Sequence, residues 1–209
     1  MDAGADMVEL DVWRTTDGAL VIYHDDRLPG HDLPVAKSAW SSLRHVALPF
    51  GARLPQLADA LSLMRGHIPV NVEIKHGAAL PDTLRLIRDL GMKDDIILSS
   101  FDLPAMYAAA ELAPEIRRAL IMGTESLAPC VRFREAFPFW ALHQARAGYW
   151  HAGAPLVGPN LVSALHDQGV KVNVWTVNEP ALGARLLGDG VDGLFTDQPG
   201  PMRRSLGLD

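Results

Sequence analysis

The feature that most constrains the fold of this chain is a repeated alternation between short apolar segments and helix-like segments. From residue 68 onward, an apolar, β-branched run is followed by a helical pattern about every 20–33 residues, which is typical of parallel α/β architecture. The predicted strands cover residues 7–12, 19–25, 68–75, 95–101, 117–123, 137–143, 170–177 and 191–197. The predicted helices cover residues 54–65, 82–90, 103–112, 158–168 and 180–187.

Two α/β folds suit this alternation, the open doubly wound sheet and the closed barrel of eight strands. A doubly wound sheet normally has a glycine-rich turn after its first strand, and the sequence has none there. Polar and charged side chains instead stand near the ends of several predicted strands. They are Glu9, Asp11, Glu73, Lys75, Ser99, Ser100 and Asp197. Because the active sites of TIM barrels gather at the carboxyl ends of the strands, the pattern favours an α/β fold of the TIM (β/α)8-barrel type.

The second predicted strand departs from this pattern. The turn Thr15-Thr16-Asp17-Gly18 joins it to the first strand, and an Asp-Gly pair between two apolar runs is typical of a β-hairpin. We therefore expect residues 19–25 to run antiparallel to the first strand, which leaves seven predicted barrel strands. Residues 26–67 form a predicted insertion after the second strand. The whole chain, residues 1–209, is interpreted as a single barrel domain.

Composition excludes several classes of protein. The chain is 48% hydrophobic over 209 residues, which suffices for a buried core, and its single cysteine, Cys130, rules out an internal disulfide framework. The net charge of -6 argues against a nucleic-acid partner, because phosphate binding requires clustered Lys and Arg. No uninterrupted apolar run reaches about 18 residues, so no membrane span is predicted. Since no secretory signal follows Met1, we expect a cytoplasmic location.

Two predicted strands carry charged side chains on one face. Side chains alternate along a strand, so Glu9 and Asp11 share a face, as do Asn71, Glu73 and Lys75. Neighbouring carboxylates repel unless a cation or a proton lies between them, and three converging carboxylates form an oxygen-rich site suited to Mg²⁺ or Ca²⁺. A divalent cation and Lys75 would offset the three negative charges. Such a site could accept a phosphodiester monoanion without a large charge penalty.

His24 and Trp175 are further candidates for the site. His24 ends the hairpin strand, where it is either a general acid or base suited to neutral pH or an ordinary turn residue. Trp175 lies near the end of a predicted strand, where it either packs in the core or lines a pocket wall. His143 ends another predicted strand and is a second, weaker candidate acid or base.

Taken together and in order, these segments resemble the glycerophosphodiester phosphodiesterase family. The resemblance extends over most of the chain, whereas residues 102–155 match only in general character. The matching segments are Gly4-Ala5-Asp6-Met7-Val8-Glu9-Leu10-Asp11-Val12, Thr16-Asp17-Gly18, Val21-Ile22-Tyr23-His24-Asp25, Leu54-Pro55-Gln56-Leu57, Val72-Glu73-Ile74-Lys75, Ser99-Ser100-Phe101, Val174-Trp175-Thr176-Val177-Asn178, Gly190-Val191-Asp192-Gly193 and Thr196-Asp197.

The resemblance implies a fold, a reaction and a set of site residues. The fold would be a TIM barrel with an insertion after the second strand. Glu9, Asp11 and Glu73 would hold one divalent cation, Mg²⁺ or Ca²⁺, while His24 would be one of two catalytic histidines and Lys75 would contact the phosphoryl group. The reaction would be hydrolysis of a small-molecule glycerophosphodiester to glycerol 3-phosphate and an alcohol.

The chain departs from the family pattern at its beginning. The family starts with a His-Arg-Gly strand and a helix that precede the Gly-Ala-Asp segment, whereas Met1 stands directly before that segment. A TIM barrel typically takes about 250 residues, so this chain is short by roughly one strand-helix unit. A misassigned start, a naturally shortened barrel and completion by a partner chain are three explanations. Because an incomplete barrel has unpaired strand edges, we expect poor solubility or a homodimer.

Two alternative functions follow from the same residues. A truncated or non-catalytic barrel would bind a metal or a phosphodiester without turnover. A phospholipase D-like enzyme of the same fold would act on lysophospholipid or sphingomyelin headgroups. An apolar lip would favour the lipid substrate, and Pro138, Phe139 and Trp140, or Tyr149 and Trp150, could supply it.

Overall fold

Strands and helices alternate in both of the units into which the chain divides. The computed structural model describes residues 3–123 and 128–208. The first unit is Met7–Arg117, and the second contains the described residues of Met1–Asp6 and Arg118–Asp209. Within the described ranges, no helix has the length and the apolar character needed to cross a membrane.

The first unit contains a sheet with strand order β2-β1-β3-β4. Strands β1, β3 and β4 are parallel, and β2 pairs antiparallel with β1. The strands are β1 (Val8–Arg14), β2 (Leu20–Ile22), β3 (Val70–Ile74) and β4 (Ile96–Ser100). The helices are α1 (Trp40–Leu43), α2 (Leu57–Met64), α3 (Leu80–Asp89) and α4 (Leu103–Leu112).

The β1–β2 hairpin forms as predicted. Arg14 pairs with Leu20, and the backbone N–H of Gly18 donates to the carbonyl of Thr15 at 3.1 Å, which closes the turn. Gly18 has a φ of 89°, a conformation that glycine adopts without steric cost. An apolar cluster joins β2 to the segment that follows it, and it consists of Val21, Leu28, Val35, Leu43 and Leu54.

The apolar and the polar side chains of β3 lie on opposite faces of the strand. Val70, Val72 and Ile74 are fully buried and form the apolar face of the strand. Asn71 and Glu73 therefore lie on the opposite face, because successive side chains of a strand point to opposite sides. This local rule places polar groups of β3 beside those of β1, with which β3 pairs in parallel.

The second unit contains four parallel strands in the order β5-β6-β7-β8. The strands are β5 (Arg117–Met122, of which Arg117 belongs to the first unit), β6 (Tyr149–Gly153), β7 (Lys171–Trp175) and β8 (Gly193–Leu194). The helices are α5 (Pro129–Ala136), α6 (Phe139–Gln144), α7 (Pro159–His166), α8 (Pro180–Gly188) and α9 (Pro199–Leu206). The described residues thus hold three parallel strands in the first unit and four in the second, and their total equals the number of barrel strands that the sequence predicts.

One predicted strand was placed wrongly. Residues 137–143 do not form a strand; most of them lie in helix α6, and the strand that pairs with β5 and β7 is β6. The buried residues Pro138, Ala141, Leu142 and Ala145 recur at helical spacing, and Trp140 between them is exposed. Since His143 lies in this helix, its candidacy as a strand-end acid or base is also withdrawn.

Candidate active site

Three carboxylates from two paired strands meet in the first unit. Asp11 of β1 stands opposite Glu73 of β3, and Glu9 stands opposite Asn71. Carboxylate oxygens of Glu9, Asp11 and Glu73 all lie within 4.8 Å of one another. The parallel register of β1 and β3 therefore brings together the three residues that the sequence predicts as cation ligands.

Lys75 joins two of these carboxylates. Its backbone N–H donates to the carbonyl of Val12 at 3.1 Å, which continues the pairing of β3 with β1. Its Nζ lies 3.1 Å from Asp11 Oδ1 and 2.9 Å from Glu73 Oε1. The Lys75 side chain is 16% exposed and its two partners are 12% exposed, so water screens these ion pairs weakly.

The carboxylates and the lysine shift one another's pKa values. Burial, and then the negative charges of Asp11 and Glu73, raise the pKa of Glu9 to about 8. Burial also raises the pKa of Glu73, although the hydrogen bond and charge of Lys75 oppose this. Burial by itself would lower the pKa of Lys75, but Glu73 and Asp11 outweigh it and raise that pKa. A cationic lysine thus pairs with Asp11 and Glu73, while burial is the largest cause of the raised pKa of Glu9.

His24 follows β2 at the edge of this cluster. The backbone N–H of Tyr23 donates to the carbonyl of Asp11 at 3.1 Å, and Trp13 Nε1 donates to the carbonyl of Tyr23 at 3.0 Å. His24 is close enough for its charge to oppose the rise in the pKa of Glu73. Its side chain is 80% exposed, and its Nδ1 lies 2.8 Å from Asp25 Oδ1.

The residues present fit a hard divalent cation. Glu9 Oε1 is buried and has no hydrogen-bond partner among the described residues, whereas Lys75 contacts Asp11 and Glu73. A buried carboxylate oxygen without a donor is costly, and a cation would satisfy it. Oxygen ligands alone are the set that Mg²⁺ and Ca²⁺ prefer. Glu9, Asp11 and Glu73 are therefore the residues that would hold the cation.

Trp175 lies in the second unit, at the end of β7. Its Nε1 donates to the carbonyl of His151 on the neighbouring strand β6 at 3.1 Å. The indole is thereby fixed within its own unit, and its assignment as a substrate-pocket residue stays a prediction.

Sequence reasoning left Asn71 outside the set of candidate site residues. Asn71 stands opposite Glu9 in the register and is 1% exposed. The signal was present in the sequence, because Asn71 lies two residues before Glu73 and so shares its face of the strand. Alternation alone does not say whether such an amide packs in the core or binds a ligand.

Parallel strands alternating with helices, with acidic residues and a lysine on neighbouring strands, are typical of the α/β-barrel class of enzymes. Comparison with known proteins identifies the family within this class. The sequence profile of the glycerophosphoryl diester phosphodiesterase family matches residues 1–201. The chain belongs to this family, whose members are phosphoric diester hydrolases.

Individual relatives agree with the family assignment. The chain is 30% identical to the "Probable glycerophosphodiester phosphodiesterase 2" of Mycobacterium tuberculosis, over 94% of this chain and 77% of that protein. It is 28% identical to the glycerophosphodiester phosphodiesterase of Caldanaerobacter subterraneus subsp. tengcongensis, over 95% of this chain and 85% of that protein.

Solved structures confirm the fold class. A glycerophosphodiester phosphodiesterase from Parabacteroides distasonis aligns with a TM-score of 0.85 at 22% identity, over 99% of this chain and 85% of that one. A phosphodiesterase from Oleispira antarctica, solved in complex with the product sn-glycerol-3-phosphate, aligns with a TM-score of 0.84 at 23% identity. The alignment covers 99% of this chain and 87% of that one. The predicted TIM-barrel fold is confirmed by this similarity.

Proposed function

We propose that this protein hydrolyses glycerophosphodiesters to glycerol 3-phosphate and an alcohol, with one divalent cation, Mg²⁺ or Ca²⁺, as cofactor. The observation that carries the proposal is the convergence of Glu9, Asp11 and Glu73 within 4.8 Å in a member of a phosphodiester hydrolase family. The Oleispira antarctica relative binds sn-glycerol-3-phosphate as product, which supports the same product here.

The charges of the site suit a phosphodiester substrate. Glu9, Asp11 and Glu73 contribute three negative charges when ionised, and a divalent cation together with Lys75 offsets them. A cation bound there would supply Lewis-acid polarisation of a phosphoryl oxygen. Lys75 holds Asp11 and Glu73 in place, and its Nζ is the donor that we assign to a phosphoryl oxygen of the substrate.

His24 is assigned the proton transfer. Hydrolysis joins phosphorus to a new oxygen and breaks its bond to the alcohol oxygen, which must then take up a proton. Asp25 contacts Nδ1 of His24, so the Nε2 atom is the nitrogen that can exchange a proton with the substrate. A histidine suits this role because its ordinary pKa lies close to neutral pH.

The test measures glycerol 3-phosphate released from a panel of glycerophosphodiesters by the purified chain. We expect turnover that requires Mg²⁺ or Ca²⁺ and disappears with EDTA. His24→Ala should reduce kcat at least about 100-fold, the usual contribution of a general acid or base. Glu73→Gln should raise the cation concentration needed for activity.

His67→Ala is the matched control, because His67 is an exposed histidine of the same unit whose recorded hydrogen bond uses its backbone N–H. It should retain the activity of the unchanged protein. Full turnover in EDTA would contradict the cation requirement, and full activity of His24→Ala would contradict the assigned acid or base. Cation binding without turnover on any substrate would support the non-catalytic barrel instead.

A lipid substrate is the second candidate, because the second unit exposes aromatic side chains of the kind that contact lipid. Of the first lip that the sequence suggests, Trp140 is exposed, Phe139 is half-buried and Pro138 is buried. Phe133 and Phe137 are also exposed, and their ring centroids lie 5.2 Å apart. Of the two lips that the sequence suggests, Tyr149 and Trp150 lie in β6 with Trp150 fully buried, so this pair does not form one. Lysophosphatidylcholine and sphingomyelin therefore belong in the substrate panel, and their preference over glycerophosphodiesters would identify a phospholipase D-like enzyme.

A further inference from the structure

Asn71 is a buried amide on the face of β3 that carries Glu73. It is 1% exposed, and its strand neighbours Val70 and Val72 are fully buried on the opposite face. In the parallel register Asn71 stands opposite Glu9 on β1. The amide therefore lies at the same level of the sheet as one of the three clustered carboxylates.

Ser99 fixes the orientation of this amide. Asn71 Nδ2 donates to Ser99 Oγ at 2.9 Å, and Ser99 is a fully buried residue of β4. Strand β3 lies between β1 and β4. Because the two ends of an amide group diverge, an Nδ2 directed at β4 leaves Oδ1 on the side of β1.

Two buried oxygen acceptors then remain unsatisfied on neighbouring strands. Neither Asn71 Oδ1 nor Glu9 Oε1 has a hydrogen-bond partner among the residues that the structure describes. Buried polar atoms are almost always paired in native proteins, and leaving one unpaired costs about 1–3 kcal/mol. Two oxygen atoms cannot satisfy each other without a proton, a water or a cation.

We propose that Asn71 Oδ1 is a further oxygen ligand of the cation that Glu9, Asp11 and Glu73 hold, and that Ser99 is the positioning residue that orients the amide. This proposal rests on the cation dependence given under the proposed function. The amide oxygen adds a ligand without adding charge. A fourth carboxylate would make the loaded site more negative and would repel a phosphodiester anion, so a neutral donor suits this position.

The test is calorimetric titration of the full chain with Mg²⁺ and Ca²⁺ at constant pH. Asn71→Leu keeps the branched shape of the side chain and removes the oxygen. We expect cation affinity to fall at least about tenfold, which is the lower end of the loss seen when a group that orients a metal ligand is removed. Asn71→Asp keeps an oxygen at this position, so this variant should still bind the cation. Its added negative charge should raise KM for the anionic substrate.

Ser99→Ala is a milder variant that keeps Asn71 and releases its amide. It should lower cation affinity by a smaller factor than Asn71→Leu, and it should also lower the melting temperature in EDTA, because the buried Nδ2 loses its acceptor. Thermal melts in EDTA check the fold of each variant. If Asn71→Leu melts at a lower temperature in EDTA but binds the cation with unchanged affinity, Asn71 has only a packing role and the proposal is overturned.

The same titration separates this proposal from the proposed function. If the unchanged chain binds neither cation, the cation dependence itself is wrong, and the role of Asn71 falls with it. If the unchanged chain binds a cation, Glu73→Gln weakens the binding and Asn71→Leu does not, then the cation site stands and only the assignment of Asn71 is overturned.

Discussion

At the scale of single residues, burial and two neighbouring carboxylates act together on Glu9. They raise its pKa from 4.5 to about 8 when no cation is bound. Between these two values the folded chain keeps a proton that the unfolded chain has lost. The folded state therefore binds more protons, and the free energy of unfolding falls as the pH rises through this window.

This effect predicts a pH dependence of the cation-free protein. In EDTA, the Glu9 contribution should lower the free energy of unfolding by up to about 1.4 kcal/mol per pH unit between pH 5 and pH 8. Urea unfolding at several pH values measures the slope. Glu9→Gln is the control, since it cannot titrate, and an unchanged slope in this variant would contradict the assignment.

A second residue-scale effect concerns His151 in the second unit. Burial lowers the pKa of His151 to about 3. Asn173 Nδ2 lies 3.2 Å from His151 Nε2, so in the neutral ring this nitrogen accepts a hydrogen bond. The ring of Phe195 lies 4.8 Å from the imidazole, centroid to centroid. A proton on Nε2 would therefore face the Asn173 amide donor at a fully buried position.

Acid should destabilise the protein through this histidine. As the pH falls below 6.5 the unfolded chain binds a proton at His151 and the folded chain does not, so stability present at pH 7 is lost. The expected loss between pH 7 and pH 5 is about 2 kcal/mol. Urea unfolding at both pH values tests this, with His151→Gln as a variant that lacks the titrating ring. Equal losses in both proteins would show that other groups are responsible.

At the scale of secondary-structure elements, the β1–β2 hairpin carries the candidate acid or base to the carboxylate cluster. Strand β1 supplies Glu9 and Asp11, and the chain returns through β2 to His24. Two hydrogen bonds fix the end of this return. They are Tyr23 N–H to the Asp11 carbonyl and Trp13 Nε1 to the Tyr23 carbonyl.

Trp13→Phe tests whether this hairpin positions His24. The ring is largely retained, but the hydrogen bond to the Tyr23 carbonyl is lost. Loss of a hydrogen bond worth about 0.5–1.5 kcal/mol should lower kcat by about two- to tenfold, if that bond serves to position His24. Steady-state kinetics measures kcat, and cation titration should give an unchanged affinity because no ligand is altered. An unchanged kcat would mean that the Asp11–Tyr23 bond suffices.

At the scale of the whole molecule, cation binding and folding are coupled. A cation that binds the folded chain and not the unfolded one stabilises it by mass action, by about 2.7 kcal/mol at 100 times the dissociation constant. We therefore expect the melting temperature to rise with added Mg²⁺ or Ca²⁺. Glu73→Gln should respond much less, and an equal response in this variant would place the cation elsewhere.

The homodimer stays a prediction at this scale. The sequence predicts it through the pairing of unpaired strand edges. Light scattering after size-exclusion chromatography, over a wide range of protein concentration, should detect the dimer. A monomer at every concentration, with a cooperative melt, would contradict it.

The amino-acid sequence by itself determined which residues share a face. Alternation along a strand put Glu9 with Asp11 and Glu73 with Lys75, and the Asp17-Gly18 turn determined the hairpin, because backbone geometry over a few residues controls both. The same local reasoning failed at residues 137–143. An apolar run of that length suits a strand or a helix, and the burial of Ala141 and Leu142 beside the exposed Trp140 goes with the helix.

Only the tertiary structure decided how these local pieces act on one another. The register of β1 with β3 sets the spacing of Asp11 and Glu73, which are far apart in the sequence. The contact of Lys75 with both of them, the raised pKa of Glu9 and the unsatisfied oxygen of Asn71 follow from that pairing. The physical reason is that burial, charge and hydrogen bonding depend on neighbours in space, and strand pairing supplies those neighbours only after the chain has folded.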